Sequence, residues 1–168
     1  MKPVCLIMGA GAGIGGTVGK KFASEGYHAV LCRRSDEVGL ETLVSDIKAA
    51  GCEASGFLLN AVDEGAIEKR IRQVENEIGP IEVVLFNLGA QIGNRSLEEV
   101  TYKQFELGWR MATFGLFRMA KELFPRMEAR GGGTFLVTSA TAAVRGNAVQ
   151  HSHAAAMGGR RMLCQSLN

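Results

Sequence analysis

The sequence has little that would mark a secreted or membrane protein. Only 4 of its 168 residues are cysteine, and none stands at the spacing of a zinc site or a redox pair. The apolar run at residues 4–8 is too short for a signal peptide or a membrane span. We therefore interpret the cysteines as buried thiols in a reducing cytosol and expect a cytoplasmic protein.

The chain also lacks an excess of charge of one sign. Its 19 Lys and Arg residues are scattered among 17 Asp and Glu residues, for a net charge of +2. Nucleic acids and acidic membranes select clustered positive charge, so neither is expected as a partner. A 46% share of hydrophobic residues can form a core. The length fits one domain, which we predict over residues 1–168.

Apolar runs alternate with segments of helical periodicity along the chain. Short apolar runs bounded by glycine are typical of buried parallel strands. The predicted strands are residues 4–8, 28–32, 52–59, 81–86 and 134–139. The predicted helices are residues 15–25, 36–50, 63–78, 97–130 with a break before Thr101, and about 153 to the end. This alternation predicts an α/β fold, a three-layer α/β/α arrangement around a doubly wound parallel sheet.

A glycine-rich turn joins the first predicted strand to the first predicted helix. It fits two registers, GxGxxG at Gly11, Gly13 and Gly16, and GxxxGxG at Gly9, Gly13 and Gly15. A backbone without side chains can approach a pyrophosphate, which binds to the N–H groups of the helix N-terminus. The strand–turn–helix context favours this interpretation over a purely structural turn. This pattern predicts a Rossmann-like dinucleotide-binding unit over roughly the first 90 residues.

Two arginines, Arg33 and Arg34, follow the second predicted strand. NAD-binding proteins usually place Asp or Glu there, to accept hydrogen bonds from ribose hydroxyls. A guanidinium can instead hold the 2′-phosphate of NADP(H) through two hydrogen bonds. The alternative is a solvated arginine pair at a strand end. We predict NADP(H) rather than NAD(H), and we interpret the nearby Asp36 as the N-cap of the next helix.

Several motifs in order resemble those of the short-chain dehydrogenase/reductase family. The GxxxGxG register matches the family's cofactor loop, with Met8 where Thr is usual. Residues 60–62 resemble its Asp-Val segment, which lies against adenine, and residues 87–90 resemble its Asn-Ala-Gly motif. Arg33 falls where NADP-preferring members carry a basic residue. The cofactor-binding residues that the resemblance and the patterns together predict are Gly9, Gly13, Ile14, Gly15, Arg33, Arg34, Asn60, Ala61, Asn87 and Gly89.

The resemblance also implies a sheet order of 3-2-1-4-5 and hydride transfer between nicotinamide C4 and a small carbonyl or alcohol substrate. It further implies a homo-oligomer formed through the helices after strands 4 and 5. In the family a Tyr-x-x-x-Lys pair, helped by a Ser and an Asn, performs the chemistry. The alignment places His153 at the Tyr position, Met157 at the Lys position, Ala140 at the Ser position and Ala112 at the Asn position.

This chain therefore lacks the family's catalytic motif at the aligned positions. His153 is the remaining acid–base candidate, because imidazole exchanges protons near neutral pH; the alternative is a structural or exposed histidine near the helix start. His151 and His153 lack further ligands nearby in sequence, so no metal is predicted. We predict an NADP(H)-binding, catalytically impaired family member, a pseudoenzyme candidate. The alternative is a non-catalytic NADP(H) sensor or an inactive partner subunit.

The chain is shorter than typical family members and stops in the helix after the fifth strand. We expect it to be C-terminally short. Whether the remaining segment is absent from the protein or only from this sequence is left open, as are the substrate and the existence of any turnover.

Overall fold

The computed structural model describes residues 1–89 and 92–168, so that Ala90 of the Asn87 motif lies outside the described residues. The chain forms two compact units. The first unit comprises Met1–Asn87 and Ala120–Val137, and the second comprises Leu88–Met119 and Thr138–Asn168. The single domain over residues 1–168 stays a prediction.

The first unit contains a five-stranded sheet in which every neighbouring pair is parallel. Its strands are β1 (Val4–Met8), β2 (His28–Arg33), β3 (Ala54–Leu58), β4 (Ile81–Phe86) and β5 (Thr134–Val137). The order β3-β2-β1-β4-β5 confirms the order expected from the family resemblance. The connecting helices in this unit are α1 (Ile14–Ser24), α2 (Glu37–Ala49) and α3 (Ala66–Glu77). The fold class is therefore the predicted Rossmann-like α/β fold.

The position of each strand in the sheet explains its composition. The central β1 is buried at all five residues, since neighbouring strands and helices cover it completely, and its sequence is continuously apolar. At the sheet edge, β3 is less buried and admits Ser55 and Gly56. Gly26 and Gly51, with φ of 94° and 75°, follow α1 and α2 in the left-handed region, as predicted for glycine at a helix C-terminus.

The second unit is mostly helical. It contains α4 (Tyr102–Trp109), a π-helical turn (Arg110–Phe114), a 3₁₀ turn (Thr141–Ala143) and α6 (His151–Ser166). A further helix, α5 (Gly115–Ala129), begins in this unit and continues into the first. Thr101 and Gln104 form a capping box at the start of α4, which confirms the break predicted before Thr101.

Several predicted boundaries were wrong by a few residues. The fifth strand ends at Val137 rather than at residue 139, and the last helix begins at His151 rather than near 153. The third helix begins at Ala66, because Gly65, with φ of 70°, precedes it in the left-handed region. The π-helical turn was not predicted, since hydrophobic periodicity does not distinguish one widened turn from regular α-helix. None of the described helices is long and apolar enough to cross a membrane.

Candidate functional site

The turn after β1 depends on glycine for steric reasons. Gly9 has a φ of 95°, in the left-handed region that favours glycine. A Cβ added at Gly15 would collide with the carbonyl oxygen of Gly9, and one at Gly16 would lie 2.5 Å from the carbonyl oxygen of Gly11. The close approach of Gly9 and Gly15 fits the GxxxGxG register, and that of Gly11 and Gly16 fits the GxGxxG register. The loop therefore passes directly over the start of α1.

The start of α1 is open on the side where a ligand could approach. Its N-cap residue, Gly13, offers no side chain to the helix, and a Cβ added there would meet nothing within 4 Å. Ile14 is 60% exposed. Unlike Gly15, Gly13 has no packing reason to be glycine. Its bare backbone leaves the positive end of the helix dipole accessible to an anion such as a pyrophosphate.

Arg33 ends β2 and forms an ion pair with Asp36. Its Nη2 lies 2.9 Å from Asp36 Oδ2. The other carboxylate oxygen of Asp36, Oδ1, accepts a hydrogen bond of 3.0 Å from the backbone N–H of Gly39, which confirms Asp36 as the N-cap of α2. Arg34 is exposed. The cap was predictable from sequence, but the ion pair was not, although an Arg and an Asp three residues apart were a visible signal.

A cavity of about 320 Å³ lies beside this ion pair, between α1 and α2. Its charged side chains are Lys20, Arg33, Asp36 and Asp46, and Lys20 Nζ lies 2.8 Å from Asp46 Oδ2. Each cation of the cavity is thus paired with a carboxylate. The complete lining is Ala12, Gly16, Thr17, Lys20, Arg33, Asp36, Gly39, Thr42, Leu43 and Asp46. Lys20 and Asp46 were not predicted from the sequence, because they come from different helices.

The polar side chains after β3 and β4 make hydrogen bonds within the first unit. Asn87 Nδ2 donates to the carbonyl oxygen of Gly9 at 3.0 Å, so that Asn87 fixes the glycine turn from the end of β4. Asn60 Nδ2 donates to Asp63 Oδ1 at 2.7 Å, and Ala61 is 6% exposed. Because the carboxyl ends of parallel strands share one edge of a sheet, these residues lie on the same edge as the glycine turn. Gly89 is exposed and belongs to the second unit.

Three of the four positions aligned with the family's catalytic residues, Ala112, Ala140 and Met157, are apolar in the second unit. Ala112 is fully buried and Met157 is 4% exposed. They belong to one hydrophobic cluster with Ala156, and Ala140 packs against it. This cluster has neither a hydroxyl group nor an ammonium group at the aligned positions. Ala112 lies in the π-helical turn.

A buried arginine lies one turn after Met157. Arg160 is 2% exposed, and its guanidinium donates to the carbonyl oxygens of Ala112, Thr138 and Leu88 at 3.1, 3.0 and 2.6 Å. Burial lowers the pKa of Arg160 to about 10, so the group is still protonated at neutral pH. The adjacent pair Arg160-Arg161 by itself predicts a solvated helix face. For Arg160 that prediction is wrong, because its partners are backbone carbonyls that carry no sequence signal.

His153 is buried rather than exposed at the start of α6. It is 8% exposed, and among the described residues its Nδ1 has no hydrogen-bond partner. Burial, followed by the positive charge of Arg160, lowers the pKa of His153. The imidazole is therefore mainly neutral at pH 7. Within the described ranges, no group of three His, Cys, Asp or Glu side chains could hold a metal ion.

The four cysteines are free thiols. Cys5 and Cys32 are buried, as predicted, and burial raises the pKa of each thiol to about 12. Cys52 and Cys164 are half-buried and free. Buried thiols with a raised pKa are poor nucleophiles and poor metal ligands.

Comparisons with known proteins agree with this structure. The family model described as short chain dehydrogenase matches residues 3–168. A fatty acyl-CoA reductase of Acinetobacter baylyi is 30% identical over 151 residues, which are 89% of this chain and 50% of that protein. The chain thus spans about half the length of the curated relatives it matches.

Solved structures also match. A short-chain dehydrogenase from Rhodopseudomonas palustris superposes with a TM-score of 0.92 at 34% identity, over 98% of this chain and 76% of that one. A metagenomic short-chain oxidoreductase in complex with NADP superposes with a TM-score of 0.90 at 24% identity, over 98% and 74%. The chain belongs to the short-chain dehydrogenase/reductase family of oxidoreductases, whose members bind nicotinamide dinucleotides.

Proposed function

We propose that this chain binds NADP(H) through the first unit and transfers hydride poorly. The observation that carries the proposal is a contrast in the positions aligned with family motifs. Those of the cofactor loop are glycines that leave the backbone bare, and Gly13 faces open space, whereas Ala112 and Met157 belong to an apolar cluster against which Ala140 packs. Binding requires the former positions and chemistry requires the latter.

The residues of the first unit fit a dinucleotide. The start of α1 has no side-chain cap and suits a pyrophosphate, since the N–H groups at a helix start favour an anionic acceptor. The N–H of Gly16 already donates to the carbonyl oxygen of Gly11 at 2.8 Å. Gly9, Gly13, Ile14 and Gly15 would hold the pyrophosphate. Arg33 and the exposed Arg34 would hold a 2′-phosphate. Asn60 and Ala61 would lie near the adenine, and Asn87 would lie further along the cofactor. Gly89, which was also predicted to bind the cofactor, belongs to the second unit.

The expected chemical impairment follows from proton transfer. Bound NADPH would supply a hydride from nicotinamide C4, and a group of the protein must then supply a proton to the carbonyl oxygen. Met157 and Ala140 cannot do so. His153 is the one acid–base candidate from sequence, but its lowered pKa keeps it neutral at pH 7, and a neutral imidazole donates a proton less readily than its protonated form.

A titration of NADPH fluorescence with the purified chain tests binding without a choice of substrate. We expect saturable binding, weakened by Arg33→Ala by about tenfold more for NADPH than for NADH. Arg34→Ala is the matched control, and we expect a smaller effect because Arg34 is exposed. If Arg33→Ala leaves the preference unchanged, the assignment of NADP(H) is wrong.

A steady-state assay with NADPH and a panel of carbonyl compounds tests the impairment. We expect binding with little or no turnover. Turnover that His153→Ala abolishes would contradict the proposal and establish His153 as a catalyst. Tight binding without turnover also fits the alternative role, a non-catalytic NADP(H) sensor or an inactive partner subunit.

An exposed aromatic stack in the second unit supports self-association. Trp109 and Phe114 stack at 5.2 Å between ring centroids, and Phe114 and Phe117 at 6.3 Å. All three residues are 36–44% exposed, and exposed apolar patches of this kind favour protein contacts. We propose a homo-oligomer through this face. Light scattering should give a smaller mass for Phe117→Ser than for the unaltered chain. The same mass for both would contradict this contact.

A further inference from the structure

We propose that Asp36 sets the discrimination between a 2′-phosphate and a 2′-hydroxyl at this site, by holding the guanidinium of Arg33 and opposing the phosphate. This inference rests on the proposed binding of NADP(H). It assigns to Asp36 a second role beyond capping α2. In this role Asp36 limits the preference for NADP(H) that Arg33 provides.

The carboxylate of Asp36 is held in place from two sides. One oxygen accepts the N–H of Gly39 at 3.0 Å, and the other lies 2.9 Å from Arg33 Nη2. The backbone of Asp36 is in the left-handed region, with φ of 64°, which Asp and Asn tolerate better than other residues with a Cβ. The charge is therefore fixed beside the guanidinium.

Gly39 shows how closely Arg33 packs against α2. A Cβ added at Gly39 would lie 2.8 Å from Arg33 Nη1 and would collide with Asp36 Oδ2. Glycine inside a helix costs about 1 kcal/mol relative to alanine. In this structure Gly39 has no side chain, and the ion pair occupies the space that a Cβ would fill. The ion pair is thus built into the first turn of α2.

This geometry has opposite consequences for the two cofactors. A phosphate that binds Arg33 must come within a few ångströms of the Asp36 carboxylate, and the two negative charges repel each other. A ribose 2′-hydroxyl can instead donate a hydrogen bond to the same carboxylate. Asp36 therefore favours the hydroxyl while Arg33 favours the phosphate. Because the Asp36 side chain is 58% exposed, solvent screens this repulsion and the effect is moderate.

The cavity offers a matched control in its second ion pair. Asp46 also lines the cavity, but its carboxylate pairs with Lys20 on α1. Asp46→Asn removes the same charge from the same cavity without releasing Arg33. A general change of cavity charge would affect both variants equally, whereas a specific role of Asp36 would affect only one.

The test measures the affinities of adenosine 2′,5′-bisphosphate and 5′-AMP for the full chain by calorimetry, since these two ligands differ only in the 2′-phosphate. Asp36→Asn removes the charge while retaining a residue that caps helices equally well and tolerates a positive φ. We expect this variant to raise the affinity ratio of bisphosphate to AMP about tenfold. We expect Asp46→Asn to change it less than about threefold.

The outcomes separate this inference from the proposed function. If the unaltered chain binds the dinucleotides but Asp36→Asn leaves the ratio unchanged, or Asp46→Asn raises it equally, the inference fails alone. If the unaltered chain binds neither NADPH nor NADH, both the proposed function and the inference fail. A ratio that rises only in Asp36→Asn, with an unchanged melting temperature, supports a role in discrimination rather than in folding.

Discussion

The two units of the chain differ in what they place at the positions aligned with family motifs. In the first unit the glycine turn is intact, and Arg33 stands at the end of β2. In the second unit Ala112 and Met157 replace polar residues and are buried with other apolar side chains. Cofactor binding depends on backbone N–H groups and one guanidinium, whereas proton transfer depends on hydroxyl and ammonium groups. The comparison teaches that a chain of this fold can keep the glycine turn and the arginine while Ala112, Ala140 and Met157 provide no such group at the aligned positions.

The largest expected effect is a loss of stability caused by a substitution in the second unit. Arg160→Met would remove the charged donor from three carbonyl oxygens, one in a buried and two in part-buried hydrogen bonds. We expect the free energy of unfolding to fall by about 4 kcal/mol, because each lost bond to a charged group costs about 1.5–3 kcal/mol and the costs overlap. Urea denaturation measures the change.

The adjacent Arg161→Met is the control for this prediction. Arg161 is exposed, and we expect a change within about 0.5 kcal/mol. Equal stabilities for the two variants would show that the buried guanidinium does not stabilise the second unit.

A substitution in the glycine turn should have the next largest effect. Gly15→Ala would drive a Cβ into the carbonyl oxygen of Gly9, and that backbone atom cannot move without displacing the turn. We expect NADPH affinity to fall at least about 100-fold, together with a loss of stability of about 2 kcal/mol. Fluorescence titration and thermal denaturation measure the two effects.

Gly13→Ala sharpens this prediction, since a Cβ there meets no protein atom within 4 Å. We expect it to weaken NADPH binding while leaving stability nearly unchanged. Gly13→Ala with full affinity would mean that no ligand approaches this position.

The smallest expected effect is a dependence of stability on pH. Burial lowers the pKa of His28 in the first unit and of His153 in the second. The unfolded chain then takes up protons at a higher pH than the folded chain does. The free energy of unfolding should therefore fall as the pH drops through about 6.5, until the folded histidines are also protonated.

Separate His28→Gln and His153→Gln variants would divide this effect between the units. Each should reduce the loss of stability below pH 6.5, as measured by denaturation between pH 5 and pH 8, roughly the range of histidine titration. If the free energy of unfolding depends on pH in both variants as it does in the unaltered chain, neither histidine is buried as a neutral imidazole.

Local patterns predicted much of the fold and part of the candidate site. The continuous apolar residues of β1, the glycines after α1 and α2, and Asp36 at the start of α2 each act on neighbouring backbone, and all are found as predicted. The prediction that Arg160 is exposed failed because its partners come from Leu88, Ala112 and Thr138, which lie far apart in sequence. Side-chain type and spacing carry no information about such distant carbonyls.

Residue type and local periodicity are enough to predict the strand–helix alternation, the glycine turn and the residues that align with the catalytic positions. Which charges pair and which are buried depends on the tertiary structure. The tertiary structure pairs Asp36 with Arg33 and Asp46 with Lys20, and it surrounds the guanidinium of Arg160 with backbone carbonyls. The physical reason is that electrostatic energy depends on distance and solvent access in three dimensions, and neither can be read from separation along the chain.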